Sequence, residues 1–190
     1  MITYIDRLIP TELSNEIISE MHKLLDKGRK VNSDASPFSF SGEDDIYLSR
    51  LLINGLGTNT AIFNKIANLA ELNDSIQVEI NEQMPHFFVY EEGNFIGAHS
   101  DVFNEATANC ISVVFYFNDD YFGGELVIYD KTSDTAPGIP RGPVMEEQYQ
   151  VAKFKPKAGS MVAFPHAIMH EALVVNSGRK YICTMMYKIS

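Results

Sequence analysis

The chain has 190 residues, enough for one domain and marginal for two, and its 45% hydrophobic and 21% charged residues exclude a disordered or fibrous protein. A formal net charge of −10, with no basic patch (the densest basic run, 23–30, is diluted by Asp26), argues against nucleic acid as a partner. No apolar run reaches the roughly 18 residues of a membrane helix, and Asp6 and Arg7 stand where a secretory leader would be apolar. A soluble, cytoplasmic protein without membrane association is expected. Cys110 and Cys183 lie far apart without a CxxC pattern and read as buried free thiols.

In chain order, Pro10-Thr11 followed by Leu13, Ile17, Ile18, Met21, Leu24 and Leu25 has helical spacing, with Thr11 as N-cap and Gly28 as stop. Residues 31–45, rich in Ser, Asp, Gly and Pro, read as a loop. A second helix is expected over 58–72, with Ile62, Phe63, Ile66, Leu69 and Ala70 on one face. From Ile76 the pattern becomes short runs rich in Val, Ile, Phe, Tyr and Thr. Strands are expected near 76–80, 84–91, 94–99, 108–118, 124–130, 149–155, 160–164, 168–176 and 180–188. Turns fall at 118–120, 123–124, 157–159 and 176–178. No convincing helix separates these strands, which predicts an antiparallel sandwich or barrel. The irregular stretch 131–148 reads as a lid or binding loop.

Of the five histidines, His22 sits on the first helix facing solvent, and His86 lies on an apolar run as a core or rim residue. His99 differs, because Asp101 follows it at a strand end. One imidazole and one carboxylate can converge on a cation, and a second histidine from a distant strand would complete a facial triad with open positions. Such a triad favours Fe(II) and oxygen chemistry. His166 and His170 are the candidates for the third ligand. An HxD pair alone is weak, since a surface turn has the same pattern.

Three ordered segments add specificity. FVYEEGNFIGAHSDV resembles the Y-x-x-G-x(5)-H-x-D run of the 2-oxoglutarate/Fe(II) dioxygenases. FYFNDDYFGGELVIYD is similar to that family's strand, turn and Gly-Gly segment. PKAGSMVAFPHAIMHEALVVNSGRKY resembles its P-x-x-G turn, second histidine and a basic residue ten positions on, matched here by Gly159, His170 and Lys180. The likeness covers roughly 76–188 and is greatest to the prolyl-4-hydroxylase-like branch.

The resemblance implies a double-stranded β-helix (jelly-roll, cupin-like), mainly β with α, with N-terminal helices packed on one sheet. It implies one domain over 1–190, helical to about 75 and jelly roll from about 76. His99, Asp101 and His170 become the metal ligands and catalytic centre, and His166 a residue near the mouth that contacts the second shell or the substrate. Fe(II), 2-oxoglutarate and O2 are the implied cofactors, with ascorbate as a candidate reductant. The far carboxylate of 2-oxoglutarate needs a buried cation, since an unpaired buried carboxylate costs several kcal/mol. Lys180 is that cation. Arg179 is the runner-up, although strand alternation turns it to the opposite face. Alternation also places Ile182, Thr184 and Met186 beside Lys180, so Thr184 could share the pocket. Tyr116 matches a tyrosine aimed at the same carboxylate, and Tyr90 the one that opens the first motif. Where the family often has an aromatic residue three before the first histidine, this chain has Ile96, which puts detailed transfer of substrate contacts in doubt.

The implied reaction is hydroxylation of an unactivated C–H bond, with succinate and CO2 as co-products. Asp101 argues against halogenation, because the related halogenases lack this carboxylate. The expected substrate is a prolyl or other amino-acid residue of a peptide or protein. A free amino acid or small metabolite is the alternative. A non-catalytic metal-binding jelly roll and a zinc hydrolase remain as rivals, neither of which needs a buried cation at the Lys180 position. Arg141, in the 131–148 loop, reads as solvated rather than as a substrate anchor.

Overall fold

The computed structural model describes residues 2–27, 29–32, 48–52, 65–66, 78–80, 85–102, 109–132 and 147–189. Residues 33–45 of the expected loop 31–45, residues 133–146 of the expected loop 131–148 with Arg141, and all but two residues of the expected helix over 58–72 lie outside them; Val31 and Asn32 end a strand instead of opening a loop. Lys65 and Ile66, within that helix, are helical.

Helix α1 spans Thr11–Lys23 and is capped by Pro10, not Thr11 as the sequence predicts. The Pro10 carbonyl accepts the first helical bond, from the Ser14 N–H (3.0 Å), which moves the boundary one residue back. At this position a missing proline N–H costs nothing. A 3-10 turn, Leu25–Lys27, follows.

The strands are β1 (Thr3–Ile5), β2 (Arg29–Asn32), β3 (Leu48–Leu52), β4 (Val78–Ile80), β5 (His86–Tyr90), β6 (Phe95–His99), β7 (Cys110–Tyr116), β8 (Phe122–Gly123), β9 (Leu126–Thr132), β10 (Gln150–Phe154), β11 (Ser160–Pro165), β12 (Ile168–Ala172), β13 (Val175–Ser177) and β14 (Lys180–Ile189). The first third is therefore not purely helical: β1, β2 and β3 fall in it. Each is too short for a period-two pattern to register, and β1 is defined only by its pairing with distant β11. The run expected as one strand over 168–176 splits in two. β12 stays in the main sheet, whereas β13 leaves it to pair with β8.

Among the described residues the main order is β1-β11-β7-β14-β5-β3-β6-β12-β9-β10, with β2 on β3 and β4 on β14. All its pairings are antiparallel. Strand β3 joins the β5 side to the β6 side, so the path folds into two facing layers, as a jelly roll requires. Alternation separates two cores. Phe87, Val89, Val113, Phe115, Met161, Ala163, Cys183 and Met185 face outward and receive Ile17 and Met21 of α1. Fully burying each of those two helix side chains contributes about 1.5–3 kcal/mol. Phe88, Tyr90, Val114, Tyr116, Ile128, Val162, Phe164 and Ile182 face inward, between the layers. His22 is exposed on α1, yet its Nε2 meets the Tyr181 hydroxyl at 2.6 Å and ties the helix to β14.

Gly159 closes the β10–β11 turn at φ +77°, where a Cβ would stand 2.4 Å from the Ile9 carbonyl oxygen. Its N–H donates to Tyr116 and its carbonyl accepts from Ile9, both at 2.8 Å, which fixes the N-terminal segment on the barrel. Neither Cys110 nor Cys183 is in a disulfide, and both are buried, as expected. No described helix is long and apolar enough to cross a membrane.

Candidate active site

On the inner face, His99 of β6 and His170 of β12 are cross-strand partners. One register step away Ala172 pairs with Ile96, so three residues of β6 span what two of β12 span. This bulge at Gly97-Ala98 resets the alternation. Ile96 packs inside, Ala98 packs in a separate cluster with Val127, Tyr129 and Met169, and His99 points inward again. A regular strand would turn Ile96 and His99 to opposite faces.

The two rings lie 4.2 Å apart between centroids. Each Nδ1 is within hydrogen-bond distance of a backbone carbonyl, His99 of Gly97 (2.7 Å) and His170 of Ile168 (3.1 Å). A carbonyl only accepts, so both Nδ1 atoms carry the proton and both Nε2 lone pairs face the site. Asp101 completes the cluster, with Oδ1 3.4 Å from His99 Nε2 and Oδ2 3.6 Å from His170 Nε2. The three donor groups lie within 4.8 Å of one another. Donors bound side by side at 2.0–2.2 Å from one ion stand about 3 Å apart, so this spacing suits a single cation.

The charges agree. Burial alone would raise the Asp101 carboxyl, but His170, the His99 hydrogen bond and charge, and His166 hold it well below the ordinary carboxylate range. Burial, then His99, pulls the His170 imidazole down to about 4 against the pull of Asp101. At neutral pH the set is one carboxylate and a neutral His170, as a divalent metal requires.

His166 does not join this cluster. Its Nδ1 lies 2.7 Å from Ser112 Oγ and 4.0 Å from Asp101 Oδ2, and Ser112 Oγ donates to Asp101 Oδ2 at 2.5 Å. Ser112 was missed from sequence. Its signal was a small polar residue at an inward position of an apolar strand, CISVVFY.

Residues 85–188 match the family model described as the 2OG-Fe(II) oxygenase superfamily. The chain belongs to that superfamily. It is an Fe(II)- and 2-oxoglutarate-dependent oxygenase. Solved structures agree on the fold. A Pseudomonas putida prolyl-4-hydroxylase superposes with TM-score 0.64 at 15% identity over 100% of this chain and 92% of that one. A Trichoplax adhaerens prolyl hydroxylase, solved with a hypoxia-inducible-factor peptide, gives 0.63 at 13% identity, covering 98% and 83%. The 2-oxoglutarate-dependent epimerase SnoN of nogalamycin biosynthesis gives 0.67 at 15% identity, covering 99% and 78%. No curated protein matches the chain by sequence.

In this oxygenase the inner face runs from the acid–histidine cluster to a buried lysine. Ser112 faces Met186, Val114 faces Thr184 and Tyr116 faces Ile182 across β7 and β14. Phe164 packs on the His170 ring at 4.5 Å and belongs to the same apolar cluster as Tyr90 and Tyr116, which links the two ends. Lys180 is only 1% exposed. Its Nζ donates to the Gly124 carbonyl at 2.8 Å and lies over the rings of Tyr90 (4.8 Å) and Tyr116 (5.6 Å). Burial, then Tyr121, Tyr90 and Tyr4, push the Tyr116 phenol well above its ordinary range, so it keeps its proton and can donate. Tyr90 pairs with Lys180 across β5 and β14 and presents its ring face. Thr184 shares the Lys180 face but stands about 13 Å further along the strand at 3.3 Å per residue, opposite Val114 and His86.

Arg179 points outward, as expected, and pairs with Glu91 at 3.0 Å. His86 is exposed and stacks on Phe88. Gly124, read from sequence only as a turn and part of the Gly-Gly segment, holds Lys180: at φ +68° any Cβ there would meet Lys180 Cδ at 3.3 Å.

Proposed function

We propose that this oxygenase is a hydroxylase that inserts oxygen into an unactivated C–H bond of a prolyl or other amino-acid residue in a peptide or protein. The reading rests on one observation: an acid–bis-histidine cluster whose donors converge within 4.8 Å, in the same interior as a buried lysine. His99, Asp101 and His170 are the proposed metal ligands and the catalytic centre. When bound, iron(II) with 2-oxoglutarate and O2 supplies the oxidising power, and succinate and CO2 leave.

The chain's own residues have separate tasks. The carbonyls of Gly97 and Ile168 fix the imidazole tautomers, so both Nε2 atoms are presented. Lys180 takes the far carboxylate of 2-oxoglutarate and Tyr116 donates to it. A ligand carboxylate offsets the desolvation of an ammonium held by a carbonyl and two ring faces. Tyr90 packs beneath the ammonium. Thr184, on the same inward face of β14 as Lys180, lines the co-substrate pocket further along the strand. Phe164 and Ile128 keep water from the space between.

Peptide hydroxylation is supported by the likeness to prolyl hydroxylases, one of them solved with a peptide. The same chemistry on a free amino acid or small metabolite is the second reading, favoured by the equally good fit to SnoN. Ascorbate is the proposed reductant. The proposed unit is a single catalytic domain over the whole chain, acting in a reducing, cytoplasmic compartment, in keeping with the two free thiols.

Succinate release from 2-oxoglutarate with Fe(II) and O2, together with a peptide and amino-acid panel scored for a gain of one oxygen atom, tests both parts. Succinate with one oxygen added to a peptide is expected. Absence of succinate would refute the site, and oxygen gained only by small metabolites would select the second reading.

A further inference from the structure

Asp101 is held at more points than a surface carboxylate needs. Its backbone N–H donates to the His166 carbonyl at 3.0 Å, and the His166 N–H donates in turn to Cys110 at 2.9 Å. Its side chain receives the Ser112 hydroxyl on Oδ2 at 2.5 Å. A hydroxyl has one proton, and an ionised carboxylate only accepts. The Ser112 proton therefore goes to Asp101, and the 2.7 Å contact between Ser112 Oγ and His166 Nδ1 must be a bond donated by His166. Ser112 and His166 are 3% and 4% exposed, so the chain of bonds is shielded from water. The direction of the relay is set from His166 through Ser112 to one oxygen of Asp101.

We propose that Ser112 and His166 are positioning residues that engage Oδ2 of Asp101, so that the carboxylate offers the metal a single oxygen. The inference rests on reading His99, Asp101 and His170 as the iron site. Its consequence is a coordination count. Two imidazoles and one carboxylate oxygen leave three of six positions, two for chelating 2-oxoglutarate and one for O2. A carboxylate free to bind through both oxygens would close the last of them. The two histidines of the PHAIMH segment thus have distinct roles: His170 binds, and His166 directs the acid.

The test is titration with Co(II), an air-stable probe, followed by heat of binding and by visible absorption, which reports the ligands around the ion. Ser112→Ala and His166→Leu should each weaken Co(II) binding about tenfold, as loss of an outer partner does, and change the absorption as the second carboxylate oxygen takes another ligand's place. His166→Asn, which keeps a donor near the Nδ1 position, should restore both readouts. Either loss variant with unchanged thermal unfolding, wild-type affinity and wild-type spectrum would overturn the relay. The two residues lie on different segments, so one folded variant suffices. Asp101→Ala separates the two levels: if it too binds Co(II) as wild type does, the metal-site reading falls. If it loses Co(II) while Ser112→Ala and His166→Leu do not, the relay alone falls.

Discussion

His99 and His170 stand opposite each other on β6 and β12, with ring centroids 4.2 Å apart and planes inclined at 47°. Burial and the neighbouring His99 ring disfavour protonation of His170, and both imidazoles are tied back through Nδ1. The pair is thus preorganised to bind a cation between its Nε2 atoms, with Asp101 supplying the charge.

Metal should stabilise the fold. At a hundred times its Kd, a ligand that binds only the folded state contributes about 2.7 kcal/mol, or roughly 5–10 °C in Tm for a chain of this size. Chelator-treated protein titrated with Fe(II) under argon should show that rise. His99→Ala and His170→Ala should abolish it, with succinate formation falling more than about a hundredfold, beyond the loss for an outer partner. A Tm insensitive to metal in the wild type would contradict the site.

The metal-free protein should lose stability in mild acid. Folding lowers the His170 pKa from 6.5 to about 4, chiefly through burial. Between those values the unfolded chain binds more protons, so stability rises with pH. The His170 contribution is complete above about pH 6.5 and is lost on the way down to pH 4, by roughly 3 kcal/mol. Urea unfolding at a series of pH values should show this slope, and His170→Gln should flatten it.

Lys180 and Tyr116 should affect 2-oxoglutarate and not metal. Removing one partner of a buried ion pair costs 3–5 kcal/mol, or about two to three orders of magnitude. Lys180→Met should raise the KM for 2-oxoglutarate by that factor. The same variant should make the ligand-free protein more stable, because a buried ammonium is replaced by an apolar group. Tyr116→Phe should cost about 1.5–3 kcal/mol, one charge-assisted hydrogen bond. Co(II) affinity without 2-oxoglutarate should be unchanged in both.

Gly124 should be intolerant of a side chain. A Cβ there would lie 3.0 Å from Val175 Cγ2, 3.2 Å from Tyr121 Cε2 and 3.3 Å from Lys180 Cδ, at a φ of +68°. Gly124→Ala should destabilise by more than the roughly 1–2 kcal/mol of left-handed backbone and raise the KM for 2-oxoglutarate. Gly93→Ala is the control: its φ is +81° with nothing within 4 Å of the added Cβ, so only the backbone cost applies.

The alternating runs of the second half were legible because period-two alternation is local to each strand. The same rule read Lys180 as inward and Arg179 as outward. The HxD pair, the second histidine and the lysine ten residues later could be picked out because their spacing along the chain is itself the pattern. Strands β1, β2 and β3 were not legible, since short strands acquire their identity from distant partners.

The amino-acid order by itself determined which side chains could bind a metal and an anionic co-substrate, and that all but Asp101 sit on strands. Tertiary structure alone decided how they meet. The bulge at Gly97-Ala98 turns His99 inward although Ile96 is already there, because register is set by the strand paired opposite. The spacing to Lys180 already favoured His170 over His166 as the ligand, but only the fold brought Ser112, from a strand more than fifty residues earlier, against His166. Hydrogen bonds between segments far apart in sequence have no local periodicity to reveal them, so only the pairing of the chain with itself could give His166 its partner.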